Sequence, residues 1–67
     1  MSNANVRIAV EYVEQMTACT KPGGTVLAPN FPGNTKHDRK LIQNGLLKLA
    51  CAKSVMVDKQ VIVLTLK

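Results

Sequence analysis

Two short stretches decide how this chain can be divided. Lys21-Pro22-Gly23-Gly24 and Pro29-Asn30-Phe31-Pro32-Gly33-Asn34 together hold all three prolines and three of the four glycines. Proline lacks the amide hydrogen and clashes with the turn before it, so neither stretch fits inside a helix. The residue preceding each proline is pushed towards extended backbone, and the paired glycines admit positive φ. Three segments remain: one of helix length before residue 20, the brief run Thr25–Ala28, and everything after Asn34. No helix can bridge them, so 67 residues must form several short elements around one core.

The first segment has helical periodicity. Val6, Ala9, Val10, Val13, Met16 and Thr17 recur at the spacing of one helix face. A helix is expected over Ala4–Cys19, with Asn3 or Asn5 as its cap. Thr25–Ala28 is too short for a helix and reads as a small strand. Phe31, between two prolines, is expected to plug the edge of the core.

A second helix is expected over Lys36–Ala52. Thr35 followed three residues later by Asp38 resembles a capping box, with Asp in place of the usual Glu or Gln. Projected at about 100° per residue, Leu41, Ile42, Gly45, Leu46, Leu49 and Ala52 gather on one side. Lys36, Lys40, Gln43, Asn44, Leu47 and Cys51 gather on the other, flanked by Arg39 and Lys48. Gly45 on the apolar side costs about 1 kcal/mol of helix propensity, a cost that close approach of another element would offset.

After residue 53 the period changes from about 3.6 to 2. Val55–Val57 and Val61–Leu66 are β-branched runs around Asp58-Lys59-Gln60, which reads as a hairpin. Ile62, Leu64 and Leu66 share the face expected to reach the core, and Val61, Val63 and Thr65 the opposite one. The expected fold class is α+β: a single domain, residues 1–67, in the order helix, short strand, helix, β-hairpin. With 46% hydrophobic residues, one Tyr, one Phe and no Trp, its core must be aliphatic.

The charge is lopsided. Residues 1–34 are neutral, with Arg7 and Lys21 against Glu11 and Glu14. Residues 35–67 carry seven basic side chains against Asp38 and Asp58, which accounts for the whole net charge of +5. Charge gathered on one helix and its hairpin is the footprint of a polyanion-binding surface.

From Asp38 to Leu66 the pattern is an amphipathic helix containing Leu46-Leu47-Lys48-Leu49-Ala50, a short apolar strand, a charged turn and a second strand. It resembles the recognition helix and wing of winged-helix DNA-binding domains. The resemblance implies that the Leu-rich side packs on the core, that the other side enters the major groove, and that Thr25–Ala28 pairs with the wing. The family has a short helix before the recognition helix. Here Pro29, Phe31, Pro32 and Gly33 reduce it to one turn or remove it.

The candidate nucleic-acid-binding residues are Lys36, His37, Arg39, Lys40, Gln43, Asn44, Leu47, Lys48 and Lys59. The cations would neutralise phosphates, and the amides of Gln43 and Asn44 could pair with base edges. Leu47 could touch a thymine methyl or anchor in a protein pocket. His37 reads as an exposed polar residue, with phosphate contact as the alternative. The expected partner is duplex DNA or another polyanion, for a regulator of transcription. The alternatives are a solvated helix face, or an adaptor or inhibitor gripping an acidic protein surface such as part of the transcription machinery. One small module covers little DNA, so a homodimer would help; the second half of the first helix or the outer edge of the hairpin could supply the contact.

Catalysis is not expected. Glu11 and Glu14 suit a solvated helix face, Asp38 a cap and Asp58 a turn. Gly23-Gly24 lacks the Lys-Ser/Thr of a phosphate loop. No metal or cofactor is expected, since Cys19, Cys51 and His37 have no ligand spacing. The two cysteines are expected as buried free thiols, with a disulfide as the minority alternative. No apolar run approaches the ~20 residues that cross a bilayer, and no secretory pattern opens the chain. The expectation is an intracellular, cytoplasmic protein with no membrane contact.

Overall fold

The computed structural model describes residues 4–67. The order is α1 (Ala4–Ala18), β1 (Thr25–Pro29), α2 (Lys36–Leu47), β2 (Ala52–Val57) and β3 (Val61–Leu66). The α+β class and the order helix, strand, helix, hairpin are as the sequence implied. The strands form one antiparallel sheet in the order β1-β3-β2, so the last strand is central. Leu27 pairs with Val63 on one side, and Met56 with Val63 on the other. Both helices cover one face of this sheet and pack on each other.

Alternation fixes which side chains meet the helices. Val26 and Ala28 of β1, Ile62, Leu64 and Leu66 of β3, and Ala52 and Val55 of β2 are buried. Ala9 and Val13 come down on them from α1, and Ile42 and Leu46 from α2. The largest fully buried side chains are Ile42, Leu46, Ile62, Leu64 and Val13, so the core is aliphatic as composition required. Phe31 is half-buried against this cluster, which is the plug position expected of it. Gly45 lies where α2 crosses α1: a Cβ there would stand 3.3 Å from Cγ2 of Val10. The missing side chain lets the helices approach, as anticipated.

The breaks behave as their residues demand. Gly23 has φ +82°, a left-handed conformation that L side chains rarely adopt. Its N–H donates to the carbonyl of Lys67 at 2.8 Å, and the Leu66 N–H donates to Gly24 at 2.9 Å, tying the turn to the end of β3. Pro32 and Gly33 form a turn, so no helix lies between β1 and α2.

Three expectations need correction. First, α2 ends at Leu47 with Lys48 as its C-cap, not at Ala52. Leu49 donates to the Leu46 carbonyl and Ala52 to that of Leu49, forming a tight turn. Ala52 then pairs with Leu66 in the sheet. It is buried as expected, but from a strand, because ladder pairing along β3 outcompetes a further helical turn. Second, Cys19 and Cys51 are both exposed rather than buried. Cys19 follows the end of α1, and the early end of α2 leaves Cys51 in a surface turn. Third, α1 begins at Ala4, so Asn5 lies inside its first turn rather than at the cap; Asn3 falls outside the described residues. Among the described residues no helix is long and apolar enough to cross a membrane.

The N-terminus of α2 is secured by the reciprocal cap. The Asp38 N–H donates to Oγ1 of Thr35 at 3.1 Å, and the Thr35 N–H donates to Oδ2 of Asp38 at 2.9 Å. Replacing Thr35→Ala is expected to cost about 1 kcal/mol of stability, read from the shift in a urea-unfolding midpoint. The Tyr12 hydroxyl donates to the carbonyl of Pro29, joining α1 to the end of β1. Burial raises the Tyr12 phenol above its ordinary 10.0. The unfolded chain then loses this proton at lower pH than the folded one. The stability from Tyr12 is therefore full below pH ~10 and falls as pH rises through the folded value. Tyr12→Phe is expected to remove that alkaline decline, checked by unfolding midpoints on both sides of pH ~10.

Candidate nucleic-acid interface

The candidate surface is assembled from α2, the Asn30–Asn34 loop and the β2–β3 turn. Ile42 and Leu46 anchor α2 in the core with no exposed surface. The side chains that point away are then fixed by helical spacing. Lys36, Lys40, Asn44 and Leu47 follow one another at i+4, i+4 and i+3, and all four are exposed. His37 and Lys48 flank this stripe and are exposed as well. Leu47 keeps 48% of its surface in solvent.

Arg39 and Gln43 occupy the other flank, towards β2, and are half-buried. Gln43 Nε2 donates to the Val55 carbonyl at 3.0 Å. Its amide nitrogen thus closes a backbone acceptor of the edge strand, and Asn44 is the amide left on the outer stripe. Arg39 Nη1 donates to the Asn34 carbonyl at 3.1 Å and to Asn34 Oδ1 at 2.7 Å. Lys36, Arg39, Lys40, Gln43 and Val57 line a shallow depression of about 310 Å³ between the helix and the hairpin.

Two asparagines hold the hairpin turn beside the helix. Asn34 Nδ2 donates to the carbonyls of Lys59 at 2.8 Å and Phe31 at 2.6 Å. Asn30 Nδ2 donates to Asp58 at 2.9 Å, and the Asn30 N–H to Gln60 at 3.1 Å. Asn34 therefore joins three pieces, because its own oxygen receives Arg39. Sequence reading passed over both residues. Their turn-forming chemistry was visible, but partners 25 and 28 positions away were not.

The cations fall into two groups. Lys36, Arg39, Lys40 and Lys59 belong to the end of the molecule where α2 begins. That helix terminus adds the partial positive charge of its amides, offset locally by Asp38 in the cap. Lys48 stands twelve residues beyond Lys36, about 18 Å along the axis. Positive charge thus runs the length of the helix but is densest at its start. Among the described residues no three of His, Cys, Asp and Glu lie where they could hold a metal.

The loop ties can be checked directly. Asn34→Ala removes the side-chain acceptor for Arg39, leaving only the backbone carbonyl, and both donors to the loop and turn. It is expected to cost about 1–3 kcal/mol and to speed amide exchange at Asp58, whose N–H closes the turn on Val61. Unchanged exchange there would mean the turn holds itself.

No protein-family model matches this chain, nor does any curated protein or solved structure.

Proposed function

We propose that this chain is a small DNA-binding protein of the winged-helix type, a regulator of transcription that docks α2 on duplex DNA with the β2–β3 turn alongside. The observation that carries the reading is the outer stripe of α2, where Lys36, Lys40, Asn44 and Leu47 are all exposed. Arg39 and Lys59 are held at the same end through Asn34.

Each group has a task suited to its chemistry. Lys36, Lys40, Lys48 and Lys59 neutralise phosphates and release counterions. Arg39 is planar and already oriented by Asn34, which suits it to a phosphate at the groove edge. Asn44 can pair with adenine through both atoms of its amide, and Leu47 can meet a thymine methyl. His37 adds a contact at the helix start. Gln43 holds the helix to β2. The turn is short, so Lys59 reaches the backbone rather than the floor of the minor groove.

A second reading is favoured by one observation. Leu47 is a large apolar side chain, about half exposed, at the far end of the cationic stripe beside Lys48. That pairing of apolar anchor and adjacent charge also suits an adaptor or inhibitor that grips an acidic protein surface.

The two readings separate experimentally. Contact with about five phosphates gives a slope of log K against log salt of roughly −4 to −5 on a generic labelled duplex. Combining Lys36→Ala, Lys40→Ala and Lys48→Ala is expected to flatten that slope by about three. Binding indifferent to salt, or a triple variant that binds like the parent, overturns the DNA reading. The second reading instead expects capture of an acidic protein that survives nuclease treatment and is lost on Leu47→Asp.

A further inference from the structure

The backbone of β1 has one side that the fold leaves open. Residues of an antiparallel strand turn their amides alternately towards one neighbour and the other. At one end of β1 the Leu66 N–H donates to the Gly24 carbonyl, and at the other the Asn30 N–H donates to that of Gln60. The even-numbered residues therefore face β3, and Thr25, Leu27 and Pro29 turn their backbone groups to the outer edge. The Pro29 carbonyl is closed by the Tyr12 hydroxyl, and proline has no N–H. Two N–H and two C=O groups remain, on Thr25 and Leu27, and no hydrogen bond among the described residues engages them. The other edge is blunted. By the same count Val55 and Val57 face outward from β2, but Gln43 closes the Val55 carbonyl, and a bulge between Ala52 and Ser54 holds Lys53. Such ties, bulges and charges keep an edge from pairing. β1 has none of the last two: its five residues pair with β3 without a shift and carry no charge.

We propose that this edge takes a fourth strand: an extended segment of a partner protein, apolar at one position and acidic just after it. Hydrogen bonding selects the extended backbone, since a strand presents matching groups at every second residue, about 6.8 Å apart. In the antiparallel sense, the residues opposite Leu27 and Thr25 each exchange two hydrogen bonds with β1, which satisfies all four open groups. The residue between them lies beside Val26 and points to the helix side of the sheet. A groove of about 480 Å³ waits there between α1 and β1. Tyr12 stands at its Pro29 end and Thr20 at the other, where a Cβ on Gly24 would meet Thr20 Cγ2 at 2.9 Å. Met16, 38% exposed, lies between them as an adaptable apolar wall. A long apolar side chain such as leucine suits that space.

Charge complementarity sets the flank. The Thr25 end of the edge adjoins the turn that carries Lys21, and the Gly23 N–H of that turn donates to the Lys67 carbonyl. Both lysines are exposed. An antiparallel segment places its C-terminal side there, so acidic residues after the apolar one meet two cations. A second copy does not meet these terms. Pairing β1 with itself through all four groups sets Val26 opposite Val26 of the other copy, whose side chain is already in its own core at 3% exposure. The groove would stay unfilled. No acidic residue stands between Glu14 and Asp38 to answer Lys21 either.

The site is independent of the DNA reading. α2 is tied to the β2 edge through Gln43, and β1 is the opposite edge of the sheet. A segment added along β1 leaves the outer stripe of α2 uncovered, so the chain can hold the segment whether or not it holds DNA.

The test titrates the full chain with the end-capped peptide Ser-Val-Leu-Val-Glu-Glu, to ~1 mM in ~0.15 M salt. Its leucine is the groove residue, and its valines lie opposite Leu27 and Thr25. Amide exchange at Thr25 and Leu27 is expected to slow by about tenfold or more at saturation, while Val55 and Val57 keep their rates. Methylating the backbone nitrogens of both peptide valines removes two donors and is expected to weaken binding by about tenfold or more, a readout that needs no protein variant. On the protein, Met16→Asp puts a charge in the groove from an exposed position. Leu27→Pro deletes one outward N–H without breaking a bond to β3. Each is expected to weaken the peptide by about tenfold. The combination of Lys36→Ala, Lys40→Ala and Lys48→Ala is expected to keep its affinity within about twofold, because those lysines lie beyond a Debye length from the edge. Unslowed exchange at Thr25 and Leu27, equal binding of the methylated peptide, or a loss in the lysine combination as large as in Met16→Asp overturns the proposal. So does protection of both amides on raising the chain concentration alone, which assigns the edge to a second copy.

Discussion

The inward face of β3 is the contact on which the remaining elements depend. Ile62 and Leu64 have no exposed surface, and among the described residues β3 is the only strand with a partner on each side. The hairpin brings β2 against it locally. β1 arrives from nearly forty residues earlier and pairs along its whole length. The burial of Ile62, Leu64 and Leu66 sets the register of both neighbours, because a slip by one residue would turn each of these side chains into solvent. Val26 and Ala28 are thereby committed inward and Leu27 outward. The helices then close over a platform whose relief is already determined.

Position of the cationic stripe follows from that platform rather than from the charges. Ile42 and Leu46 fix the rotation of α2 about its own axis, and Gly45 against Val10 fixes its distance from α1. Gln43 ties its flank to Val55, and the Thr35–Asp38 box fixes where it starts. With those four constraints satisfied, Lys36, Lys40, Asn44 and Leu47 can only face outward. Arg39 is held by the neutral oxygens of Asn34 and so braces the loop, and Asp38 closes the cap. Lys36, Lys40, Lys48 and Lys59 are exposed, which leaves these four within reach of a ligand.

How much of this was legible in the sequence depended on whether the deciding contacts were local. The cap at Thr35, the proline-enforced breaks and the alternation in Val61–Leu66 are short-range signals, and each appears where its residues indicated. Gly45 was readable as a close approach because an unfavourable residue on an apolar helix face needs a reason. The end of α2 was not readable. Leu49 and Ala52 continue a helical period, and only the pairing of Ala52 with Leu66 shows that the strand takes that stretch. The thiols were misplaced for a different reason: burial was expected from the general tendency of free cysteine, whereas Cys19 just past α1 and Cys51 in the turn after α2 both face solvent. At the candidate site, the outer stripe could be projected from spacing alone. The engagement of Gln43 with Val55 could not, nor could the ties from Asn30 and Asn34, because each depends on how separate elements pack.

Those ties bear on what a charged surface of this size can achieve. A lysine on a mobile turn loses conformational entropy when it binds, at about 0.5–1.5 kcal/mol per immobilised side chain, with further loss if the loop itself must be ordered. Here the ordering of the turn is completed on folding. The backbone of Asp58, Lys59 and Gln60 is anchored through their carbonyls, by amides from Asn30 and Asn34. Carbonyl anchoring leaves side chains out of the contact, so Lys59 is positioned without being consumed. Arg39 is treated differently, since its guanidinium is itself gripped by Asn34. One end of the surface is thus rigid, with a fixed planar cation and a braced turn. The other end, at Lys48, rests on a single exposed side chain past the last helical turn. A ligand with regularly spaced negative charge would find register at the rigid end and added attraction, with little directional preference, at the other.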